Sequence, residues 1–344
     1  MYDHDRIADL VCRLLPGAAV VGLRPVEPST NRPPSVYKVT LGDGRAIAIK
    51  TASTSSSIDA AGNTIATEAA VLRRLGSLGC NTPRVVGLHA SVGVLATEWL
   101  EGPTLERKLS ADGPDAVDIE QVMREFLAIE ICLDSARKRF DDARKKAARS
   151  SLLKESESTF QSVRSAARSV AAASGRSTSA AEDAANELRR QVCEGAWTVG
   201  SRDYNASNIV VCSKGPYFVD FSAIGADWPE RRLVGYLIAT GPGRKDGNFS
   251  TALDQRAGLI YERLGNTVWE GRPAGALLDA HFLTAVLYSI ERLQIALTTP
   301  ERPDSHTLLK AWPNPDERLS RLNELVHTRL YPNPTADRLR SALG

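Results

Sequence analysis

With 344 residues the chain is long enough for two lobes, since single hydrophobic cores usually stop growing below this length. Its 42% hydrophobic and 24% charged residues are the proportions of a globular protein and exclude wholesale disorder. The 43 basic and 41 acidic residues nearly cancel to +2, leaving no electrostatic footprint for nucleic acid and no strong field for gathering cationic substrates.

The opening residues, MYDHDRIADL, carry acids where a secretory leader needs a basic start and an apolar core. Residues 4–15 place Ile7, Leu10, Val11, Leu14 and Leu15 at helical spacing and predict a helix stopping before Pro16-Gly17. Strand patterns follow: AVVGLRPVE, a proline-bearing loop PSTNRPPS, then VYKVTL. Asp43-Gly44 supplies the positive-φ positions of a tight hairpin, and RAIAIK alternates beyond it. A Ser/Thr-rich stretch at 51–57 leads into a predicted helix over 62–78, with Ile65, Ala69, Leu72 and Leu75 on one stripe. PRVVGLHAS and VGVLATEWL read as two further strands before Gly102-Pro103. From Val117 to about residue 194 the spacing is helical, broken by a loop at 173–180. Strand character returns at 197–221 around a turn at Lys214-Gly215, and 231–344 is again mostly helical. A β-rich first third and an α-rich remainder predict an α+β fold of two unequal lobes, divided as 1–100 and 101–344.

No apolar run reaches the ~20 residues needed to cross a bilayer. The five cysteines (Cys12, Cys80, Cys132, Cys193, Cys212) stand singly and odd in number, as inert thiols in a reducing cytosol do. The expectation is a cytoplasmic protein with no membrane and no nucleic-acid partner; the oligomeric state is not readable.

The chemistry-bearing residues lie in order along the chain. Asp203 and, five residues on, Asn208 sit in SRDYNASN, which runs directly into the strand IVV. Twelve residues beyond Asn208 comes Asp220-Phe221-Ser222, across the hairpin. Upstream, Lys50 closes AIAIK, and Glu68 lies on the next helix. A lone Asp-Phe or D-x4-N carries little weight, but these elements in this order, each on the fitting secondary structure, are specific. Together they resemble the catalytic core of the protein-kinase-like superfamily. The similarity is nearest to its small-molecule branch, the aminoglycoside phosphotransferases, choline kinases and their relatives, over roughly residues 20–110 and 195–240.

That resemblance implies a two-lobed kinase-like fold, with a small N-terminal antiparallel sheet carrying one helix and a larger helical C-terminal lobe holding the acceptor site. It implies phosphoryl transfer from ATP, with GTP as an alternative, to a hydroxyl of a small molecule such as an antibiotic, amino sugar or nucleoside. In the family such transfer is largely positioning and electrostatics. Asp203 resembles the base that orients the acceptor hydroxyl. Asn208 and Asp220 resemble the Mg²⁺ ligands, and Lys50, paired with Glu68, the lysine on the phosphates. The Glu98 carbonyl and Leu100 N–H, in the stretch LATEWLEG, resemble the hinge that takes the adenine edge.

The chain departs from the family pattern at four places. The phosphate loop PSTNRPPS lacks glycine, and Pro33-Pro34 removes two N–H donors, so Ser29, Thr30 or Ser35 are the candidate hydroxyl contacts. Ser201 replaces the usual histidine, and Arg202 precedes the base. Arg232 falls where an aspartate often braces the catalytic loop, leaving Asp227 or Glu230 for that role. Acidic residues (Asp227, Glu230, Asp246, Glu262) and aromatics (Trp228, Tyr236, Trp269) are acceptor-site candidates, though solvation and packing account for such residues more often. The loop 240–250 is a candidate gate for the acceptor. A nucleotide-binding pseudokinase, nucleotidyl transfer and protein phosphorylation remain as alternatives.

Overall fold

The computed structural model describes residues 4–26, 35–51, 58–135, 137–239, 250–312 and 314–344. Ser29, Thr30, the Pro33-Pro34 pair, Asp246 and nearly all of the 240–250 loop lie outside these described residues. In chain order the first elements are α1 (His4–Leu14), β1 (Val20–Pro25), β2 (Val36–Leu41), β3 (Ala46–Thr51), α2 (Ile58–Ser77), β4 (Val85–His89) and β5 (Val94–Glu98). Next come α3 (Leu105–Asp112), α4 (Ile119–Asp134), α5 (Asp142–Ala173), α6 (Thr178–Glu194), β6 (Thr198–Ser201), β7 (Ile209–Cys212), β8 (Gly215–Phe218) and β9 (Ile224–Asp227). The chain ends with α7 (Pro229–Leu237), β10 (Ile238–Ala239), β11 (Ser250–Thr251), α8 (Gln255–Val268), α9 (Ala274–Thr298), α10 (Pro303–Ala311), α11 (Pro315–Val326) and α12 (Pro334–Leu343). This is the expected α+β fold, a five-stranded sheet followed by a mainly helical remainder.

Two compact units partition the chain. The first takes Met1–Thr104 together with Ser201–Asp203 and Asn208–Ile224; the second takes Leu105–Gly200, Tyr204–Ser207 and Gly225–Gly344. The β7–β8 hairpin therefore packs with the sheet unit, unlike the sequence-based division at residue 100.

In the first unit the strands run β1-β2-β3-β5-β4, each antiparallel to its neighbours. The β2–β3 turn reverses at Gly44, whose φ of +83° is open to glycine at no steric cost. Strict alternation in β2 and β3 sends Tyr37, Val39, Leu41, Ile47 and Ile49 to one face, where they bury against Ile7, Leu10 and Val11 of α1. Each such fully buried aliphatic side chain contributes about 1.5–3 kcal/mol. The opposite face bears Lys38, Ala48 and Lys50. Among the described residues the unit holds two α-helices, α1 against the core face and α2, which supplies Glu68.

In the second unit α9 is buried along most of its length, with α5, α7, α8, α10 and α11 packed on it. An apolar character on every side suits a helix enclosed by others. Two arginines buried inside this unit are paired with carboxylates. Arg232 reaches Glu130 at 2.8 and 2.5 Å and also contacts Thr198, while Arg340 clasps Asp279 at 2.7 and 2.9 Å. No helix among the described residues is long and apolar enough to cross a membrane.

Candidate active site

Lys50 sits on β3 opposite Val36 of β2 and Leu95 of β5, with its side chain on the face away from the α1 core. Its ammonium lies between two carboxylates. Nζ is 2.9 and 3.1 Å from the oxygens of Glu68, on α2, and 2.6 Å from Oδ1 of Asp220. Glu68 is 2% exposed, which the amphipathic stripe of α2 explains, since it follows Ile65 by three positions and precedes Leu72 by four. Asp220 follows β8 and is the one non-glycine residue among those described with positive φ, at 63°. Such a conformation costs of order 1 kcal/mol for an L-residue and marks a site where the surroundings impose it. Here Ser222 imposes it in part, donating to Asp220 Oδ1 through its hydroxyl at 2.7 Å and its amide at 3.3 Å.

Burial is the largest influence on all three ionisable groups and opposes charge on each. Glu68 and Asp220 overcome it at Lys50, holding the ammonium above its ordinary range. Burial pushes the Glu68 carboxyl up, against the pull of Lys50. At Asp220 the Lys50 charge and the hydrogen bonds from Lys50 and Ser222 outweigh burial, and its carboxyl is held below the usual range. One ammonium thus serves two carboxylates, and the ionised cluster carries a net negative charge.

Asp203 and Asn208 belong to the same unit. The Asp203 amide donates to Ser201 Oγ at 3.3 Å, so the serine that replaces histidine holds the backbone of Asp203 directly. Asn208 Nδ2 donates to the Asp203 carbonyl at 2.9 Å, and the Val219 amide donates to the Asn208 carbonyl at 2.9 Å. The Arg202 amide donates to the Ala223 carbonyl at 2.8 Å, joining the loop to the chain just past Asp220. Asp203 itself is exposed. In the stretch after β5, Glu98 takes the Arg84 amide on its carboxylate at 2.9 Å and returns its own amide to the Arg84 carbonyl. The Leu100 N–H takes no partner among the described residues. Gly102 then passes so near β7 that a Cβ would stand 2.2 Å from the Val211 carbonyl oxygen.

These oxygens suit a hard divalent cation. Asp220 Oδ2 and Asn208 Oδ1 accept no hydrogen bond among the described residues, and Asp220 belongs to a cluster with negative charge to spare. No group of three or more His, Cys, Asp or Glu among the described residues is placed to hold a metal. A site of two protein oxygens, completed by water and phosphate, is the usual arrangement for Mg²⁺.

Solved structures with the same architecture decide the fold. A choline/ethanolamine kinase family protein from Mesorhizobium loti aligns over 98% of this chain and 98% of its own, at 15% identity and a TM-score of 0.53. A choline kinase from Cryptosporidium parvum aligns over 99% of each chain, at 11% identity and a TM-score of 0.53. An amicoumacin kinase, in complex with AMP-PNP, Ca²⁺ and Ami, aligns over 98% of this chain and 97% of its own, at 12% identity and a TM-score of 0.50. The fold is that of the small-molecule kinases. No protein-family model and no curated protein matches the sequence.

Within this kinase fold the structure brings Lys50, Glu68 and Asp220 into contact and sets Asn208 against the backbone of Asp203. Ser35 is exposed, and its carbonyl accepts from the Thr51 amide at 2.8 Å. Of the two candidate braces, Asp227 accepts from the Tyr204 hydroxyl at 2.9 Å, one residue along from Asp203, whereas Glu230 is occupied by Arg272 at 2.7 Å and Tyr261 at 3.3 Å. Arg231 also donates to the Tyr204 hydroxyl, at 2.6 Å. Among the described residues the acceptor-site candidates have partners or packing of their own. Glu262 accepts from the Gly275 amide at 2.5 Å, Trp228 and Tyr236 are buried, and Trp269 lies under the Arg272 guanidinium at 4.9 Å.

One grouping escaped the sequence reading. Lys38 Nζ lies 2.6 Å from Glu101 Oε1 and 4.7 Å from the centroid of the Trp99 ring, on the sheet face that carries Lys50. That hydrogen bond holds the Glu101 carboxyl below its usual range. Only the strand register reveals it, through the pairing of Lys38 with Ala48 two residues from Lys50.

Proposed function

We propose that the protein is a phosphotransferase that moves the terminal phosphoryl group of a purine nucleoside triphosphate, ATP in the first instance, onto a hydroxyl of a small molecule. The observation that carries this reading is the Lys50–Glu68–Asp220 cluster on the free face of the sheet. Lys50, fixed by Glu68, binds the phosphates and offsets their charge. Asn208 and Asp220 would hold Mg²⁺, which would supply further neutralisation of the phosphate oxygens. Asp203, its backbone held by Ser201 and Asn208, accepts a hydrogen bond from the acceptor hydroxyl and takes its proton as the oxygen–phosphorus bond forms. The Leu100 N–H and Glu98 carbonyl receive the base. Phosphoryl transfer through a loose transition state asks for alignment more than for strong deprotonation, and an exposed carboxylate provides that alignment.

The test is a nucleotide titration by calorimetry with and without Mg²⁺, followed by acceptor screening by mass spectrometry. Wild type is expected to bind in a Mg²⁺-dependent way, and Asp220→Ala to lose that dependence. Asp203→Asn is expected to keep nucleotide affinity within about twofold and to lose on the order of 10²–10⁴ in kcat. A product heavier by a nucleotidyl group, or full turnover by Asp203→Asn, would overturn the assignment.

A further inference from the structure

The free face of the sheet is not uniformly suited to an apolar base. Residues paired across antiparallel strands share a face, so Arg24, Lys38 and Ala48, aligned across β1, β2 and β3, stand beside the row Val36–Lys50–Leu95. Ala48 is two residues from the lysine assigned to the phosphates, one step toward the base end of the site. A lysine there puts a cation where a nucleobase would meet the sheet. Arg24 directly opposite makes a like-charge pair, an arrangement that lowers strand stability unless a carboxylate relieves it.

Glu101 is that carboxylate, and it arrives from the stretch that already supplies Leu100. The Lys38 side chain is 15% exposed and that of Glu101 76% exposed, so the pair is anchored at the lysine and open to solvent at the acid. Exposed pairs of this kind are worth little in stability, ~0–1 kcal/mol, and Glu101 retains a second oxygen for a ligand. The Lys38 ammonium also lies 4.7 Å from the centroid of the Trp99 ring. The base end of the site therefore offers a charged donor and a charged two-oxygen acceptor close together.

We infer that this pair reads guanine, so that the preferred phosphoryl donor is GTP. The inference rests on the phosphotransferase reading above and names its nucleotide. Guanine presents two adjacent donors, N1–H and N2–H, to the two oxygens of a carboxylate. It also presents two adjacent acceptors, O6 and N7, to an ammonium. Adenine offers one amino group and isolated ring nitrogens, and leaves part of both charged groups unsatisfied. A site that hydrogen-bonds a substrate rejects the analogue that lacks the partner, because its own polar groups are then left unpaired.

The experiment is calorimetric titration of the full chain with the Mg²⁺ complexes of GTP, ITP and ATP, on wild type, Glu101→Ala and Lys38→Val. ITP keeps O6 and N1–H but lacks the 2-amino group. Wild type is expected to bind GTP at least about tenfold tighter than ATP, with ITP between them, a bidentate contact being enough for that factor. Glu101→Ala is expected to weaken GTP and leave ATP nearly unchanged, and Lys38→Val to bring ATP up to or above GTP. Equal affinity for ATP and GTP in wild type, or a preference that both variants keep, overturns the guanine assignment and leaves the phosphotransferase intact. Absence of Mg²⁺-dependent binding of any of the three, in wild type and in Lys38→Val alike, overturns both.

Discussion

Lys50 balances two carboxylates of different character, and each should respond differently to its loss. Glu68 is almost fully enclosed, while the Asp220 side chain is 27% exposed and can rehydrate. In Lys50→Met the Glu68 carboxyl has no cation and takes up a proton, so the variant is expected to fold with a loss on the order of 1–3 kcal/mol. Glu68→Gln keeps the acceptor oxygen and the shape but lets the ammonium lean toward Asp220. Its expected signature is a kcat/KM for nucleotide lower by about tenfold, with a stability change under ~1 kcal/mol. Urea unfolding and initial rates separate the two, and a Glu68→Gln enzyme with unaltered kcat/KM would show that the pairing does not position Lys50. Lys50, Glu68 and Asp220, which the structure brings into contact, were legible as candidates because each is placed relative to a strand end, a helix stripe or a turn. The Lys38–Glu101 pair was not, since an alternating VYKVTL strand states only that Lys38 is on the polar face, not what lies across from it.

The segment after β5 and the β7–β8 hairpin make the clearest case at the level of elements. Thr104 bridges to Val210, and the Val211 amide donates to the Pro103 carbonyl at 2.9 Å, so the segment leaving β5 is stitched to the hairpin by backbone alone. Gly102 permits that approach, and Gly102→Ala must push backbone against backbone. The expected cost is about 1–3 kcal/mol, with a fall in nucleotide affinity, because the displaced segment carries Leu100. Thermal unfolding and titration on the same variant check both, and a variant indistinguishable from wild type would mean the segment shifts freely. The elements themselves were readable where a local signal exists. Asp43-Gly44 marked the β2–β3 turn, and the dip at 173–180 marked the break between α5 and α6. The long-range stitching had no local signal, because Gly102-Pro103 reads as punctuation in sequence and as a contact only in three dimensions.

At the scale of the molecule, the second unit encloses a histidine that ought to register in the pH dependence of stability. His281, on α9, is 3% exposed and its ring lies 5.6 Å from that of Trp228. Burial, assisted by the charges of Arg231 and Arg272, keeps it from protonating until well below its ordinary range. The unfolded chain protonates this residue near pH 6.5. Between that value and the lowered folded one the unfolded state binds the extra proton, so stability rises with pH and falls on acidification. The slope from this group approaches ~1.4 kcal/mol per pH unit below pH 6.5. His281→Leu is expected to remove that portion of the acid sensitivity, measured as the difference between the two proteins in urea midpoints from pH 7 to 5. Parallel profiles would show that His281 titrates alike in both states. Whole-molecule grouping was the least legible property. The sequence order places residues 208–224 late in the chain, and nothing local says that the hairpin packs with the first hundred residues.

The clasp of Arg232 on Glu130 joins residues 102 positions apart, and that of Arg340 on Asp279 joins residues 61 apart. Contacts closed over such lengths of chain carry a large loop entropy and tend to form after the folding barrier is crossed. They therefore govern how long the native state lasts more than how quickly it is reached. Glu130→Gln is expected to accelerate unfolding by about tenfold or more while leaving the refolding rate within about twofold. Stopped-flow measurement of both arms reads this directly, and a slowed refolding arm with unchanged unfolding would place the clasp in the nucleus instead. The protein's lifetime at elevated temperature then depends on a few late-forming ion pairs, none of which involves Lys50, Glu68 or Asp220.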